Sequence, residues 1–199
     1  MQSDDINILD HQLAYQGFFK LERYHLRHRL FNGNWSQPLT RELFERGHAA
    51  AVLPYDPDRD EVILIEQFRV GAIHSGANAW LTEIVAGIIE PGETAEAVVR
   101  REAIEESGCP LQQLEPICDY FVSPGGTSEC ISLFCGRVDA THAGGIHGRI
   151  DEGEDIRVFT VPFIEAQTMI NDGRINSASP IMAIQWLSLN RDRLKTLWL

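Results

Sequence analysis

Three glutamates crowd one stretch near the middle of the chain, at Glu102, Glu105 and Glu106. In a helix, at about 100° per residue, Glu106 lies about 40° from Glu102 on one side and Glu105 about 60° on the other. Val98 and Val99 fall on the same side, so the carboxylates continue an apolar face. Two partly buried carboxylates about 5 Å apart repel by about 3 kcal/mol at an effective dielectric near 20. The cluster therefore predicts a hard divalent cation, Mg²⁺ or Mn²⁺, which binds carboxylate oxygen.

The element that must position these side chains is a helix over about Thr94–Ser107. Gly108 and Pro110 are typical of its end. The alternative interpretation is an ordinary solvated acidic helix, which gives no reason for carboxylates on the packed face.

Strand patterns surround this helix. They cover residues 48–55, 61–69, 82–89, 116–123, 129–138 and 155–161. Two further helices are predicted over residues 162–173 and 179–198. Because helices flank the strand runs, the sequence predicts an α/β fold with helices packed on a mixed sheet.

The first 46 residues have a pattern of their own. Residues 1–16 are polar with no clear period, residues 18–30 alternate as a strand does, and residues 39–46 alternate again. Asn32-Gly33 between the two strands is a hairpin signal. We therefore expect a small N-terminal antiparallel β-sheet unit over residues 1–46 and a main domain over residues 47–199.

Composition excludes several classes of partner. The net charge is −12, which disfavours nucleic acid and membrane surfaces. The N-terminus lacks the basic and apolar regions of a signal peptide, and no segment approaches the roughly 18 apolar residues of a membrane span. The four cysteines form no C-x-x-C pair and are interpreted as reduced core thiols. A cytoplasmic protein is expected.

The glutamates belong to a longer pattern. From Gly87 to Cys109 the chain matches G-x5-E-x7-R-E-U-x-E-E-x-G-U, in which U is an apolar residue. Every fixed position is occupied, with Ala103 and Cys109 as small members of the apolar class. The stretch resembles the Nudix box of the Nudix hydrolase family.

This resemblance implies an α/β/α sandwich and a metal-dependent enzyme that hydrolyses a nucleoside diphosphate linked to another group. It implies Glu102 and Glu106 as metal ligands, with the backbone carbonyl of Ala86 as a further ligand. Glu105 beside them and Arg101, which would orient a glutamate by a charge-assisted hydrogen bond, are implied as catalytic residues.

The rest of the chain points to a substrate class. Pro124, 16 residues after Gly108 in SPGGTSE, is similar to the proline that marks the ADP-ribose pyrophosphatase branch of the family. Similar segments, among them TRELFERGHAA, LIEQFR and IQWL, extend from about residue 16 to residue 189. The branch implies hydrolysis of ADP-ribose, with other ADP-sugars as further substrates, and a homodimer with swapped N-terminal sheets. A hydrolase of GDP-mannose or a similar nucleotide sugar, or a non-catalytic ADP-ribose sensor, is the alternative.

Substrate-binding residues are expected at several places. Adjacent Phe18 and Phe19 would face opposite ways in a strand, leaving one exposed for adenine stacking unless both are core. The resemblance favours Phe18, with Arg41 covering the other side of the base. Arg69, at a strand end, is a candidate for a phosphate unless it is a plain surface arginine.

The loop SPGGTSE provides three more candidates. Gly125 and Gly126 would let the backbone approach a ligand closely, unless they only form a tight turn. The resemblance implies that Glu129 accepts hydrogen bonds from ribose hydroxyls.

Hydrolysis also needs a base for the attacking water. A glycine-rich loop over residues 140–153 runs into DEGEDIRV, which begins at Asp151. The resemblance points to Glu152 as the base, with Glu154 in reserve. The loop's glycines suggest a lid that closes over substrate. A solvated acidic loop is the alternative interpretation.

Overall fold

The computed structural model describes residues 4–76 and 78–198, without the side chains of Ser75 and Glu152. Contacts divide the chain into two compact units. One comprises residues 1–48 with 121–130, and the other residues 49–120 with 131–199. A single cut after residue 46 does not describe this division, because the segment 121–130 belongs with the N-terminal strands.

The N-terminal unit is a three-stranded antiparallel sheet in chain order, with strands β1 (Ile6–Gln16), β2 (Lys20–His28) and β3 (Leu39–Glu45). The strand β1 lies in the segment 1–16, where the sequence shows no clear period. Its pairing with β2 shifts register between Ile8 and Asp10 and again between Leu13 and Tyr15. Each shift breaks the two-residue alternation, so the strand leaves no period in the sequence.

The main unit is built on a mixed sheet with strand order β10-β11-β5-β4-β9-β8, while β6 pairs with β5 and β7 with β4. The strands are β4 (Ala49–Asp56), β5 (Glu61–Phe68), β6 (Trp80–Glu83), β7 (Val85–Ile88), β8 (Gln113–Phe121), β9 (Cys130–Arg137), β10 (Gly145–His147) and β11 (Ile156–Pro162). The helices are α1 (Ala95–Ser107), α2 (Phe163–Asn171) and α3 (Ala178–Trp198). Strands β4 and β9 run parallel.

Helices cover both faces of the sheet. Every residue of β4 is buried, and its side chains alternate between two apolar clusters. Leu53 packs in the cluster that contains residues of α2 and α3, and Val52 in the cluster that contains residues of α1. The predicted α/β/α sandwich with a separate small antiparallel sheet is confirmed.

Three local expectations were wrong. The single strand predicted over residues 82–89 is two strands, β6 and β7, with buried Ile84 between them, because each pairs with a different neighbour. The glycine-rich segment 140–153 is not a structureless loop, since it contains β10 and a 3-10 helix over Ile150–Glu152. Cys118 is exposed, and so is not a core thiol.

Across the described residues, no helix is long and apolar enough to cross a membrane.

Candidate metal and substrate site

Helix α1 is fixed at both ends by its own sequence. At the N-terminus, the Thr94 hydroxyl accepts a hydrogen bond from the Ala97 N–H at 3.2 Å. At the C-terminus, Gly108 adopts a left-handed conformation with φ 67° and donates its N–H to the carbonyl of Ile104. The predicted helix and its end are confirmed, and the carboxylates are carried on a rigid element.

Glu106 is the most deeply buried of the three glutamates, with 2% of its surface exposed. Its Oε2 accepts a hydrogen bond of 3.0 Å from the N–H of Ala86 in β7. Burial, helped by the nearby carboxylates of Glu102 and Glu154, raises the pKa of Glu106 to about 8, although the Ala86 N–H opposes this shift. The structure therefore holds Glu106 where a negative charge is costly unless a cation joins it.

Glu102 lies against the strand that precedes the helix. A Cβ placed on Gly87 would stand 2.1 Å from its Oε1, so only glycine leaves room for this carboxylate. Burial is the main cause of a raised Glu102 pKa, Glu105 and Glu154 add to it, and Arg101 opposes it. Gly87, the first glycine of the motif, thus leaves the space that the side chain of Glu102 occupies.

Arg101 joins several carboxylates at once. Its Nη1 donates to Glu102 at 2.8 Å and to Glu105 at 3.2 Å, and its Nε lies 3.5 Å from Glu93. Glu105 is less buried than Glu102, with 29% of its side chain exposed against 13%. The arrangement matches the orienting role that the sequence predicts for Arg101.

The acidic segment after β10 also reaches this cluster. Oε2 of Glu154 accepts a hydrogen bond of 2.9 Å from the N–H of Arg149. Its charge raises the pKa of both Glu102 and Glu106. The side chain of Glu152, the predicted base, lies outside the described residues, while its backbone closes the 3-10 helix.

Arg69 follows β5 and donates from Nε to Oε2 of Glu83 at 2.8 Å. Its charge lowers the pKa of Glu106, so it lies within electrostatic reach of the metal candidates. Gln67, nearly buried, donates to the same Glu83 oxygen at 3.3 Å. The sequence did not indicate that Glu83 and Gln67 are neighbours of Arg69, because this contact joins two different strands.

The donor set fits a hard divalent cation. Two buried carboxylates with raised pKa values and a third carboxylate nearby are oxygen donors with excess negative charge. In the part of the chain that the structure describes, no three His, Cys, Asp or Glu side chains are already arranged to hold a metal ion. Glu102 instead faces Arg101, and Glu106 faces the Ala86 N–H. Side-chain rotation would be part of metal binding.

The other substrate candidates lie in the N-terminal unit. Phe18 is 88% exposed, and its ring meets that of Phe19 edge-on at 4.8 Å. The two residues lie in the turn between β1 and β2, so the expectation that a strand turns them to opposite faces was wrong. Arg41 lies in β3 directly across from Tyr24 of β2. The ring of His11 in β1 stacks on that of Tyr24 at 4.2 Å.

The loop with the two glycines belongs to the same unit. A Cβ on Gly125 or Gly126 would meet nothing within 4 Å, so both glycines border open space. The carbonyl of Gly126 accepts a hydrogen bond of 2.8 Å from the N–H of Phe44. Glu129 is 6% exposed, and its Oε1 lies 3.4 Å from Nε of Arg46.

The predicted site residues therefore form two groups. The main unit brings together the metal candidates and Arg69, and adds Glu154. The N-terminal unit holds the candidates for binding the adenine and ribose groups of the substrate, namely Phe18, Arg41, Gly125, Gly126 and Glu129.

The chain as a whole is similar to known proteins. A family model described as the NUDIX domain matches residues 45–184. The ADP-ribose pyrophosphatase of Escherichia coli strain K12 is 50% identical over 195 residues, which cover 98% of this chain and 93% of that protein. The protein of the same name from Haemophilus influenzae is 43% identical, covering 98% and 91%.

More distant relatives have another name. The GDP-mannose pyrophosphatase of Pectobacterium atrosepticum is 33% identical and covers 92% of this chain and 94% of that protein. A solved structure titled as that of an ADP compounds hydrolase superposes with a TM-score of 0.73 at 21% identity, covering 100% of this chain and 98% of the other. This last similarity supports the fold.

Proposed function

The chain belongs to the NUDIX family, and from this premise we propose that it hydrolyses ADP-ribose to AMP and ribose 5-phosphate. The observation that carries the proposal is the buried pair Glu102 and Glu106, held between α1 and β7 in a chain that is 50% identical to ADP-ribose pyrophosphatases. Relatives named GDP-mannose pyrophosphatase are less similar, at 33% identity.

The metal in this proposal is Mg²⁺, with Mn²⁺ as a substitute. Glu102, Glu106 and the carbonyl of Ala86 would hold it. When bound, such an ion neutralises diphosphate charge and lowers the pKa of water. Arg101 holds the carboxylates of Glu102 and Glu105 in position. Arg69, whose charge reaches Glu106, would bind a phosphate.

The reaction itself is a displacement at phosphorus. The oxygen of water forms a bond to one phosphorus of the diphosphate, the bond from that phosphorus to the bridging oxygen breaks, and the second phosphate leaves with the bridging oxygen. The proton of the attacking water passes to a carboxylate. We assign this base to Glu152, and Glu154, which lies in the field of the α1 carboxylates, is the alternative.

Two substitutions separate these roles. Loss of a general base lowers kcat by about 10²-fold to 10⁴-fold, so Glu152→Gln is expected to fold and to bind Mg²⁺ as the unmodified enzyme does while losing most of its kcat. Glu154→Gln tests the alternative in parallel. Near wild-type turnover by Glu152→Gln together with loss in Glu154→Gln would move the assignment to Glu154.

In the N-terminal unit, exposed Phe18 would stack on adenine and Arg41 would cover its other face. The open space beside Gly125 and Gly126 suits close approach of a ligand to the backbone, and Glu129 would accept hydrogen bonds from ribose hydroxyls.

A substrate panel tests the function. ADP-ribose, other ADP-sugars and GDP-mannose are incubated with enzyme and Mg²⁺, with and without a chelator, and products are identified by mass. We expect AMP and ribose 5-phosphate from ADP-ribose, and none with the chelator. Faster release of GMP and mannose 1-phosphate from GDP-mannose would favour the other branch, and binding of ADP-ribose without product would make the protein a sensor.

We also propose a homodimer with exchanged N-terminal sheets that acts in the cytoplasm. The support is a set of exposed apolar side chains on β1, namely Ile6, Leu9, Leu13 and Tyr15, together with four free cysteines.

A further inference from the structure

His147, in the short strand β10, is seated on the C-terminal end of α1. A Cβ placed on Gly108 would stand 2.8 Å from Cε1 and 3.4 Å from Nδ1 of the histidine ring. Nε2 of His147 donates to the carbonyl of Gly144 at 2.9 Å, which fixes the ring from the other side. Only glycine at position 108 leaves room for this arrangement.

A second contact between this segment and α1 lies one residue further along, and the two contacts together are called the tie. The N–H of Gly148 donates to the carbonyl of Glu105 at 3.3 Å. Gly148 also has φ 99°, and a Cβ there would stand 2.7 Å from the Cβ of Glu154. The segment 148–154 is therefore joined to the last turn of α1 at its beginning and packs closely on itself at Glu154.

The strand that leads into this segment is short. In the described part of the chain, β10 has three residues and lies at the edge of the sheet, where it pairs with β11. Ile146 and Ile150, which flank the tie, are 66% and 93% exposed, so neither is buried against a core. A three-residue edge strand contributes little stability by itself, so the contact with α1 adds support where the segment begins.

We infer that His147 is a positioning residue for the reaction: its ring, seated on Gly108, holds segment 148–154, which contains Glu154 and the backbone of Glu152, against the helix that carries Glu102 and Glu106. The inference rests on the proposed function for its effect on turnover. The tie itself does not depend on the substrate.

The test is a double-mutant cycle with His147→Ala, Gly108→Ala and both together, measured by hydrogen exchange of peptides covering residues 144–155 without substrate. Each single variant is expected to speed exchange across residues 148–154. The double variant is expected to exchange no faster than the singles, because removal of the ring makes room for the new methyl group. The matched control is Gly173→Ala, which has similar backbone strain, φ 81°, but meets nothing within 4 Å, and should leave the segment unchanged.

Turnover of ADP-ribose is measured in the same variants. Misplacement of a reacting group by about 1 Å costs on the order of 100-fold in rate, so His147→Ala should lower kcat by about 10-fold to 100-fold with little change in KM. His147→Phe keeps a ring of similar volume but loses the donor to Gly144. It should recover part of the exchange protection and part of the kcat, whereas a requirement for imidazole chemistry would leave kcat as low as in His147→Ala.

The results separate the two proposals. Wild-type exchange of residues 148–154 in His147→Ala, or additive effects in the double variant, would overturn the inference. If His147→Ala speeds exchange while the unmodified protein does not cleave ADP-ribose, the proposed function fails and the tie stands.

Discussion

At the scale of one residue, Glu106 shows how burial makes the negative charge of a carboxylate costly. It is 2% exposed, and its pKa rises from 4.5 to about 8. A carboxyl whose pKa is raised in the folded state favours folding fully below its unfolded pKa, and that contribution is lost as pH rises through the folded pKa. A shift of one pKa unit between the unfolded and folded states corresponds to about 1.4 kcal/mol in the free energy of unfolding.

The metal-free protein is therefore expected to lose thermal stability as pH rises from about 5 to about 9. Glu106→Gln should flatten this dependence, because the amide carries no charge at any of these pH values. The measurement is the melting temperature across the pH range in the presence of a chelator. Equal slopes in both proteins would show that Glu106 is not the group responsible. Adding Mg²⁺ should raise the melting temperature of the unmodified protein most at high pH, where the carboxylate is already ionised.

A second prediction at the scale of one residue concerns Gly87 and the affinity for Mg²⁺. Gly87→Ala would place a methyl group 2.1 Å from Oε1 of Glu102 and so push the carboxylate away. We expect at least a 10-fold weaker apparent affinity for Mg²⁺ with the fold retained, measured by activity against metal concentration and by circular dichroism. The control is Gly71→Ala, where a Cβ meets nothing within 4 Å. Unchanged metal dependence in Gly87→Ala would remove Glu102 from the ligand set.

At the scale of elements, α3 is attached to the turn between β4 and β5 through one residue. Asp60 accepts hydrogen bonds from Arg191 and from the hydroxyl of buried Tyr55, and forms an ion pair with Lys195 at 3.2 Å. Its backbone has φ 58°, which is uncommon outside glycine. The strained position is retained because three partners converge on this carboxylate.

Asp60→Ala is expected to destabilise the protein by about 1–3 kcal/mol, since it leaves the Tyr55 hydroxyl without its acceptor and Arg191 without its counter-ion. Denaturant unfolding measures the change. Asp172→Ala, which removes an exposed partner of Arg174, is the matched control and should leave the midpoint nearly unchanged. Equal midpoints for the two variants would mean that Asp60 does not attach α3.

At the scale of the whole molecule, charge and apolar surface are unevenly distributed. Residues 1–48 contain six Lys and Arg and six Asp and Glu, so the net charge of −12 resides in residues 49–199. The N-terminal unit instead exposes apolar side chains along β1. A nearly neutral, partly apolar sheet is better suited to association than a strongly acidic surface.

The proposed homodimer is tested by sedimentation. The unmodified protein should have twice the monomer mass, and Leu13→Lys, at a position 53% exposed on β1, should shift it toward the monomer. Leu189→Lys, 87% exposed on α3, is the control and should remain dimeric. A monomeric unmodified protein at micromolar concentration would contradict the proposal.

Local features of the site were readable from the sequence because their causes are local. The helix α1 and its end at Gly108 follow from periodicity and a C-terminal glycine, and the carboxylates share one face because their spacing is close to a helical turn. The strand β1 was not readable, because two register shifts removed its alternation. The exposure of Cys118 and the division of residues 82–89 also depended on which neighbours each strand pairs with.

The sequence by itself determined the family, the shared face of the carboxylate cluster and the helix that carries it. Only the tertiary structure decided that Gly87 makes room for Glu102, that Glu154 joins the field of Glu106 and that His147 sits on Gly108. The reason is physical. Spacing along one element fixes which side chains share a face, whereas contacts between residues of different elements depend on how sheet and helix pack.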